Sequence, residues 1–489
     1  MSTTPFTPTP FPYQLHGACR AAWDGHTLIA DSPGLGKTIQ ALLAARLIGA
    51  QRILIICPPI LVTNWKKEPR RTGNAEHIGG EILTITAGSK TPTQLPDTGY
   101  VIASDALVSS RRSLDPLLDG WAADLLIVDE AHRFKNPGTR RTKAVTRVAK
   151  TTKHQILLTG TPIVSSPLDV LPLLRILGKL ETIGYPTGRA FIDEYTTPAP
   201  WKGGRLPIKA KLPHLHALLE QHVWTRRNKA DVLTDLPAKL RGIQHVTPDG
   251  AEIRDAYTDV TDKIDAWLER HPNPTQDDIS ELVGDALPFV SQLRRATGIA
   301  KIPAATDWIA THLDGSPDEP LIAWTIHRDV TTALAQQLST ERPDARIRVL
   351  DGSTPHEARD EAVTAFQAGD VDVLIAQIVA AGVGLTLTRG STALFVETDW
   401  TPANVVQAED RQHRIGQTQP VQITTLIAEN TLDARIHAVL ARTIDVLDDL
   451  TPNSDHHVTT GTGTDQTGPR DILTQLINDR VTHTNGAAA

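Results

Sequence analysis

The sequence predicts an α/β protein of two similar-sized lobes, each a parallel sheet flanked by helices, with a helical and loop-rich insertion between them. Three observations predict it. Over the first 160 residues, short apolar runs alternate with helical periodicities; the alternation breaks between about 180 and 290; it then resumes to about 450. Runs that are apolar throughout, rather than every second residue, mark strands covered on both faces, as in a parallel sheet.

The elements follow in order. Leu28–Ala30, Arg52–Ile56, Ile82–Thr86, Tyr100–Ala103, Asp124–Val128 and Gln155–Leu158 read as strands of the first lobe. Lys37–Ala50, Val62–Arg71 and Arg140–Ala149 read as its helices, the first with Ile39, Leu42, Leu43, Leu47 and Ile48 toward the core. Gly, Pro and aromatic residues make Tyr185–Pro207 a loop-rich excursion, and helical patterns follow at Leu215–Trp224, Ala251–Glu269 and Gln276–Val290. In the second lobe the predicted strands are Leu321–Thr325, Ile347–Leu350, Val371–Ala376, Ala393–Val396 and Val421–Leu426. Its predicted helices are Val330–Thr340, His356–Ala368 and Ala403–His413. Thr431–Leu450 reads as a closing amphipathic helix with Asn430 as N-cap. Thr451–Pro469 reads as a linker, and Asp471–Val481 as a last short helix. The expected organisation is a flexible segment 1–10, a first lobe 11–180, an insertion 181–290, a second lobe 291–450 and a flexible tail 451–489.

Composition narrows the function. With 40% hydrophobic and 21% charged residues, the 489-residue chain can build cores, which excludes disorder throughout. Two cysteines, Cys19 and Cys57, exclude a disulfide framework and a cysteine zinc site, and fit a reducing compartment. The charge balance, 49 − 56 = −7, excludes a wholly basic nucleic-acid coat protein but leaves room for a local basic groove. Met1–Pro12 has no apolar signal-peptide core, and the apolar run Ile53–Val62 is broken by Pro58 and Pro59 and is too short to span a bilayer. The expectation is a cytoplasmic protein, in a nucleoid or a phage-infected cell, with no membrane partner.

Two segments carry chemistry. Asp31-Ser32-Pro33-Gly34-Leu35-Gly36-Lys37-Thr38 sits between a predicted strand and a predicted helix. Gly34 and Gly36 let the backbone curl so that its N–H groups face phosphate oxygens, and the helix start adds its positive dipole end. Lys37 reaches toward β- and γ-phosphates, and the Thr38 hydroxyl toward Mg²⁺. Asp31 stands where the usual pattern has its first glycine, and a glycine turn with a solvated lysine is the competing reading. Asp129-Glu130-Ala131-His132 follows a buried strand, at the strand end where open α/β sheets bind ligands. Asp129 suits the Mg²⁺ shell, and Glu130 suits orienting or deprotonating the attacking water.

With these two segments the chain resembles the Swi/Snf-type ATPases, the chromatin-remodeller branch of superfamily 2 helicases. The matching blocks keep the family's order. They are Phe11-Pro12-Tyr13-Gln14-Leu15 with Gly17; Asp31 to Thr38; Cys57-Pro58 with Asn64-Trp65-Lys66-Lys67-Glu68; Asp129 to Asn136; and Leu158-Thr159-Gly160-Thr161-Pro162. Next come Arg226-Arg227 with Asp235-Leu236-Pro237 and Lys239, Gly382-Val383-Gly384-Leu385, and Gln407 to Gln417. Val164-Ser165-Ser166, Ala381 and Thr386 depart from the usual pattern. Gly384-Leu385-Thr386 and Thr297-Gly298-Ile299-Ala300-Lys301 lean toward the annealing-helicase (HARP-like) subgroup.

The resemblance implies two RecA-like lobes with ATP and Mg²⁺ between them. Gln14 would read adenine, and Asp31, Gly34, Leu35, Gly36, Lys37 and Thr38 would cradle the phosphates. Arg411 and Arg414, read as i, i+3 on one helix face, would fork onto the γ-phosphate, with Gln407 positioning water or meeting His132. An arginine finger is worth about 10³–10⁵ in kcat, or about 4–7 kcal/mol of barrier. The alternative for Arg411 and Arg414 is surface pairing with Glu409 or Asp410, at about 0–1 kcal/mol. His132, Thr159, Gly160 and Thr161 would couple hydrolysis to movement. Thr63, Asn64, Lys66, Ser104, Thr161 and Thr388 would meet the backbone of double-stranded DNA. Trp65 and Trp400 read as base-stacking platforms or as core anchors. The arginine pairs 70/71, 111/112, 140/141, 226/227 and 294/295 read mostly as solvated surface, with one or two in a groove. The function expected is a DNA-dependent ATPase that translocates on duplex DNA in bacterial or phage replication, repair or recombination. A strand-separating or annealing helicase and an ATP-dependent clamp stand as alternatives, and a protein recruiter is a possible partner.

Overall fold

The structure is a computed structural model describing residues 4–163, 166–198, 205–248, 251–271, 290–381, 385–429, 431–434, 436 and 437. The chain divides into two compact units, the first taking residues 4–198 and 205–235, the second beginning at Leu236.

The first unit is built on a seven-stranded parallel sheet. Its strands are β1 (His26–Ile29), β2 (Arg52–Cys57), β3 (Glu81–Ile85), β4 (Gly99–Ser104), β5 (Leu125–Val128), β6 (His154–Leu158) and, after the antiparallel pair β7 (Thr196–Pro198) and β8 (Arg205–Pro207), β9 (Trp224–Thr225). The order is β3-β4-β2-β5-β6-β1-β9. The inner strands β4 and β5 are buried along their whole length, as helices on both faces require. Register brings Val128 beside Leu157, and Leu158 beside Ile29. The loops after β5, β6 and β1 therefore leave the sheet side by side.

The second unit holds a six-stranded parallel sheet. Its strands are β10 (Lys239–Val246), β11 (Leu321–Thr325), β12 (Ile347–Leu350), β13 (Val373–Gln377), β14 (Thr392–Phe395) and β15 (Val421–Ala428), in the order β10-β15-β14-β11-β13-β12. Alternation sorts its core into two layers. Ile322, Trp324, Leu374, Ala376 and Phe395 pack with Phe366 on one face. Leu321, Ala323, Val373, Ile375 and Leu394 pack with Ile309, Leu334 and Leu338 on the other. Each of the Val, Leu, Ile and Phe side chains contributes about 1.5–3 kcal/mol by leaving water.

The two-lobed α/β expectation holds, and the differences have local reasons. Trp224 is in a strand, because the preceding helix stops at His222 and the two-residue β9 is too short to show a period. Its backbone completes β1: Leu28 and Ala30 donate N–H to Val223 and Thr225 carbonyls. The helix Pro12–Asp24 was not predicted because it buries Gln14, Gly17, Ala18 and Ala21, a face too small and polar to read as apolar. The helix Ile302–Gly315 is also additional. Leu47 is 50% exposed rather than core-facing, because the last turn of its helix emerges from the unit. The helix predicted as Ala403–His413 ends at Glu409. Of the remaining expectations, residues 164–165, 272–289, 382–384, Asn430 and the segments from 438 onward lie outside the described residues.

Gly298 has a packing reason. A Cβ there would lie 2.7 Å from Val330 Cγ2 and 2.8 Å from Glu397 Oε1. Glu397 is buried and accepts hydrogen bonds from the backbone N–H groups of Ile326 (2.8 Å) and His327 (2.9 Å), with His327 Nδ1 2.6 Å away. Gly298→Ala must push that carboxylate from its donors. The expected cost is about 1–3 kcal/mol, the usual range for overpacking, read as a lower urea midpoint for the second unit.

Candidate active site

The loop after β1 is held from three sides. Gly34 and Gly36 have φ of +88° and +73°, left-handed backbone that glycine adopts without strain. Gly36 precedes the helix Lys37–Ile48, so its turn aims the first N–H groups of that helix into the loop. Lys37 Nζ arches back to donate to the carbonyls of Asp31 (2.8 Å) and Ser32 (3.3 Å), which sets the ammonium on the loop's inner side.

Asp31, the residue in place of the usual glycine, is a strut. It is fully buried, and its Oδ2 accepts from Gln40 Nε2 at 2.8 Å and Arg227 Nη1 at 3.0 Å. Burial raises its carboxyl above the ordinary value, while Arg227, Gln40 and Lys37 pull it down. Arg226 donates to the Ala30 carbonyl at 3.0 Å, so this arginine pair braces the loop from the end of β9 and is not solvated surface. Gly17 gives the room: a Cβ there would lie 2.0 Å from Gln40 Oε1. Gln14 is buried, donates from Nε2 to the Leu35 carbonyl at 3.2 Å, and accepts the Phe11 N–H at 3.0 Å. Gln14 is thereby fixed against the Leu35 turn.

The loop after β5 carries the two carboxylates. Asp129 Oδ2 accepts the Trp65 indole N–H at 2.8 Å, and Oδ1 accepts the Glu130 backbone N–H at 2.8 Å. Burial raises the Asp129 carboxyl above the usual carboxylate range; the Glu130 charge pushes the same way, and the Trp65 and Glu130 N–H groups and Lys37 oppose. Glu130 has φ +50°, a left-handed conformation that costs a non-glycine residue about 1–3 kcal/mol and that clusters at functional sites. His132 Nδ1 lies 3.3 Å from Glu130 Oε2 and 3.0 Å from Thr159 Oγ1, and Thr159 Oγ1 accepts the Thr161 N–H at 3.1 Å. One chain of contacts thus runs from Glu130 to the segment after β6. Gly160 lets the same segment lie against the loop after β1, since a Cβ there would lie 2.6 Å from Pro33 Cγ.

A hydroxyl (Thr38) and a carboxylate (Asp129) are hard oxygen donors of the type Mg²⁺ takes. Among the described residues, no group of three or more His, Cys, Asp or Glu side chains could hold a metal ion.

In the second unit, Arg411 and Arg414 lie beyond the helix end, not on a helical face. They converge all the same. Arg411 donates to the Leu385 carbonyl at 3.3 Å and Arg414 to the same oxygen at 2.9 Å. Arg411 Nε also donates to the Gln407 carbonyl at 3.0 Å. Glu409 and Asp410 are engaged from β10. Arg241 forks onto Glu409 at 2.9 and 2.6 Å, and Lys239 Nζ reaches Glu409 at 3.2 Å and Asp410 at 3.0 Å. Burial pushes the Glu409 carboxyl up, but Arg241 and Lys239 win and hold it below its ordinary value. Lys239 thus has a role that sequence reasoning placed only by its motif, and Arg241 was missed; charged residues on an exposed-looking strand gave no signal.

The expected DNA-facing residues divide. Thr63 and Asn64 are half-buried and Lys66 exposed on the helix Val62–Arg71. The Thr388 hydroxyl accepts from Gln367 Nε2 at 3.2 Å. Trp65 is a core residue at 2% exposure, and Trp400 lies under the Arg294 guanidinium at 4.1 Å; both anchor the fold. Trp65 also reaches Asp129, which its motif alone did not reveal.

Removing one partner of a buried ion pair leaves an uncompensated charge. Lys239→Met is therefore expected to cost about 3 kcal/mol, seen as a lower urea midpoint for the second unit.

Comparison with known proteins agrees with this geometry. Residues 17–297 match the SNF2-related domain, and residues 306–416 the helicase conserved C-terminal domain. The SWI/SNF-related matrix-associated actin-dependent regulator of chromatin subfamily A-like protein 1 homolog of Caenorhabditis elegans is 33% identical over 461 residues, covering 91% of this chain and 62% of that protein. The DNA annealing helicase and endonuclease ZRANB3 of Mus musculus is 30% identical over 444 residues, covering 88% and 40%. The chain thus spans less than two thirds of these relatives. The Pyrococcus furiosus Hef helicase domain shares the fold, with a TM-score of 0.50, 14% identity, and 87% and 97% of the two chains covered. With the SNF2-related domain matched over more than half of the chain and the helicase conserved C-terminal domain following it in order, the chain belongs to the SNF2-related family.

Proposed function

We propose that the chain binds Mg²⁺–ATP at the loop after β1 and couples its hydrolysis to movement along double-stranded DNA. The observation that carries this reading is the contact chain Glu130–His132–Thr159–Thr161, because it ties the residue that would handle the attacking water to the neighbouring loop. A site for nucleotide binding alone has no need of that link. In this reading Lys37 bears on the β- and γ-phosphates, and Thr38 and Asp129 hold Mg²⁺. Bound there, the metal would supply charge neutralisation to the phosphates. Glu130 orients the water and takes its proton, and Arg411 and Arg414 complete the charge around the γ-phosphate, with Gln407 beside them.

DNA enters the proposal on two grounds. The mouse relative is named a DNA annealing helicase. The helix Val62–Arg71 presents Lys66, Lys67, Arg70 and Arg71 at the surface, suited to a phosphate backbone. The name of that relative also favours a second reading, in which the motor rewinds separated strands. A role in replication, repair or recombination, and the bacterial or phage setting, belong to the proposal; the relatives named above come from a nematode and a mouse. Among the described residues, no helix is long and apolar enough to cross a membrane.

The test is ATP hydrolysis without nucleic acid and with duplex DNA, single-stranded DNA or RNA. Duplex DNA is expected to stimulate most, with Lys37→Ala and Glu130→Gln abolishing turnover and Arg414→Ala lowering kcat about 10³-fold. Equal rates with and without DNA would refute the DNA-dependent reading, and fork rewinding would select the annealing one. Lys66→Ala is expected to weaken duplex binding equally across sequences. The slope of log K against log salt should shrink by about 0.9, one phosphate's share, in anisotropy titrations.

A further inference from the structure

The helix Val62–Arg71 has two faces joined by one rigid backbone. Val62, Trp65 and Pro69 are buried, while Lys66, Lys67, Arg70 and Arg71 are exposed. The indole of Trp65 crosses the interior and donates to Asp129 Oδ2 at 2.8 Å. The other oxygen of Asp129 takes the Glu130 backbone N–H at 2.8 Å. Two fixed donors on two oxygens set the carboxylate plane; with one removed, it is free to turn about its last torsion. An indole suits this task, because it donates only and cannot compete as a base or a metal ligand. At 2% exposure in a close-packed interior, its ring cannot shift without the helix that bears it.

We infer that Trp65 is a positioning residue that orients Asp129 for Mg²⁺ and transmits displacement of the helix Val62–Arg71 on DNA to that carboxylate. The transmission half rests on the function proposed above; the positioning half does not need DNA. A donor to a ligating carboxylate acts on the metal through its ligand, and loss of such a donor typically costs about 10–100-fold in metal affinity.

The experiment compares the full chain with Trp65→Phe, which keeps an aromatic ring and loses the N–H. Four quantities are measured: binding of a fluorescent ADP analogue in EDTA, the Mg²⁺ midpoint of that binding without DNA, duplex affinity by anisotropy, and the ratio of ATP turnover with and without duplex. In the variant, nucleotide binding in EDTA and duplex affinity should be unchanged. The Mg²⁺ midpoint should rise about tenfold. The stimulation ratio should fall several-fold even at saturating Mg²⁺. An unchanged Mg²⁺ midpoint overturns the positioning role and leaves Trp65 a core anchor. Loss of binding in EDTA as well marks a folding role and overturns it too. A full stimulation ratio at saturating Mg²⁺ overturns the transmission. If the unsubstituted chain itself shows no stimulation, the proposed function and the transmission fail together, while the Mg²⁺ midpoint of the variant still decides the positioning.

Discussion

A parallel sheet points all its carboxyl ends to one edge, and the candidate site of the first unit depends on that constraint. The glycine-rich loop leaves β1, the carboxylates leave β5, and Thr159 to Thr161 leave β6, which lies between them. The register fixes their levels, with Val128, Leu157, Leu158 and Ile29 tied across three strands. The Trp65 helix and the Arg226-Arg227 brace leave the same edge from β2 and β9. No long-range tether is needed to gather these residues. Backbone hydrogen bonds of the sheet do it, and the buried apolar strands make those bonds hard to break.

Around that edge, two buried carboxylates are stabilised in different ways. Asp31 is held by the Arg227 guanidinium and the Gln40 amide, which suits a strut. Asp129 is held by N–H groups of Trp65 and Glu130, with the Lys37 ammonium contributing to its surroundings. A carboxylate given neutral donors keeps its charge available to a cation, whereas one given a fixed guanidinium has already spent it. The strained backbone of Glu130 sits beside the second of these. Strain of that kind persists because the sheet on one side and the His132–Thr159 contacts on the other over-determine the loop.

The second unit repeats the logic with charges. Glu409 and Asp410 sit where a reader would pair them with Arg411 and Arg414. Lys239 and Arg241 engage them from β10, and both guanidinium groups of the candidate finger pair converge on the Leu385 carbonyl. Desolvating four charges together is affordable only when each is matched, so the cluster fixes the position of β10 against the segment that bears the arginines.

The sequence by itself determined the α/β class, most strands and the glycine-rich turn after β1. Continuous apolar runs such as Leu125–Val128 and glycines at fixed spacing are local consequences of burial and backbone freedom, which one chain segment can display. It also marked Lys37, Thr38, Asp129 and Glu130 by their spacing, while Arg411 and Arg414 came from the family resemblance and lie beyond the helix end rather than on one helical face. It left β9 and the helix Pro12–Asp24 unread, since one is two residues long and the other packs on Gly17, Ala18 and Ala21. Only the tertiary structure decided which partner each charge takes. Asp31 meets Arg227, 196 residues away, Trp65 meets Asp129 across 64, and Glu409 meets Arg241 across 168. Such pairings depend on how strands are ordered in a sheet, and residue spacing along the chain carries no trace of that order.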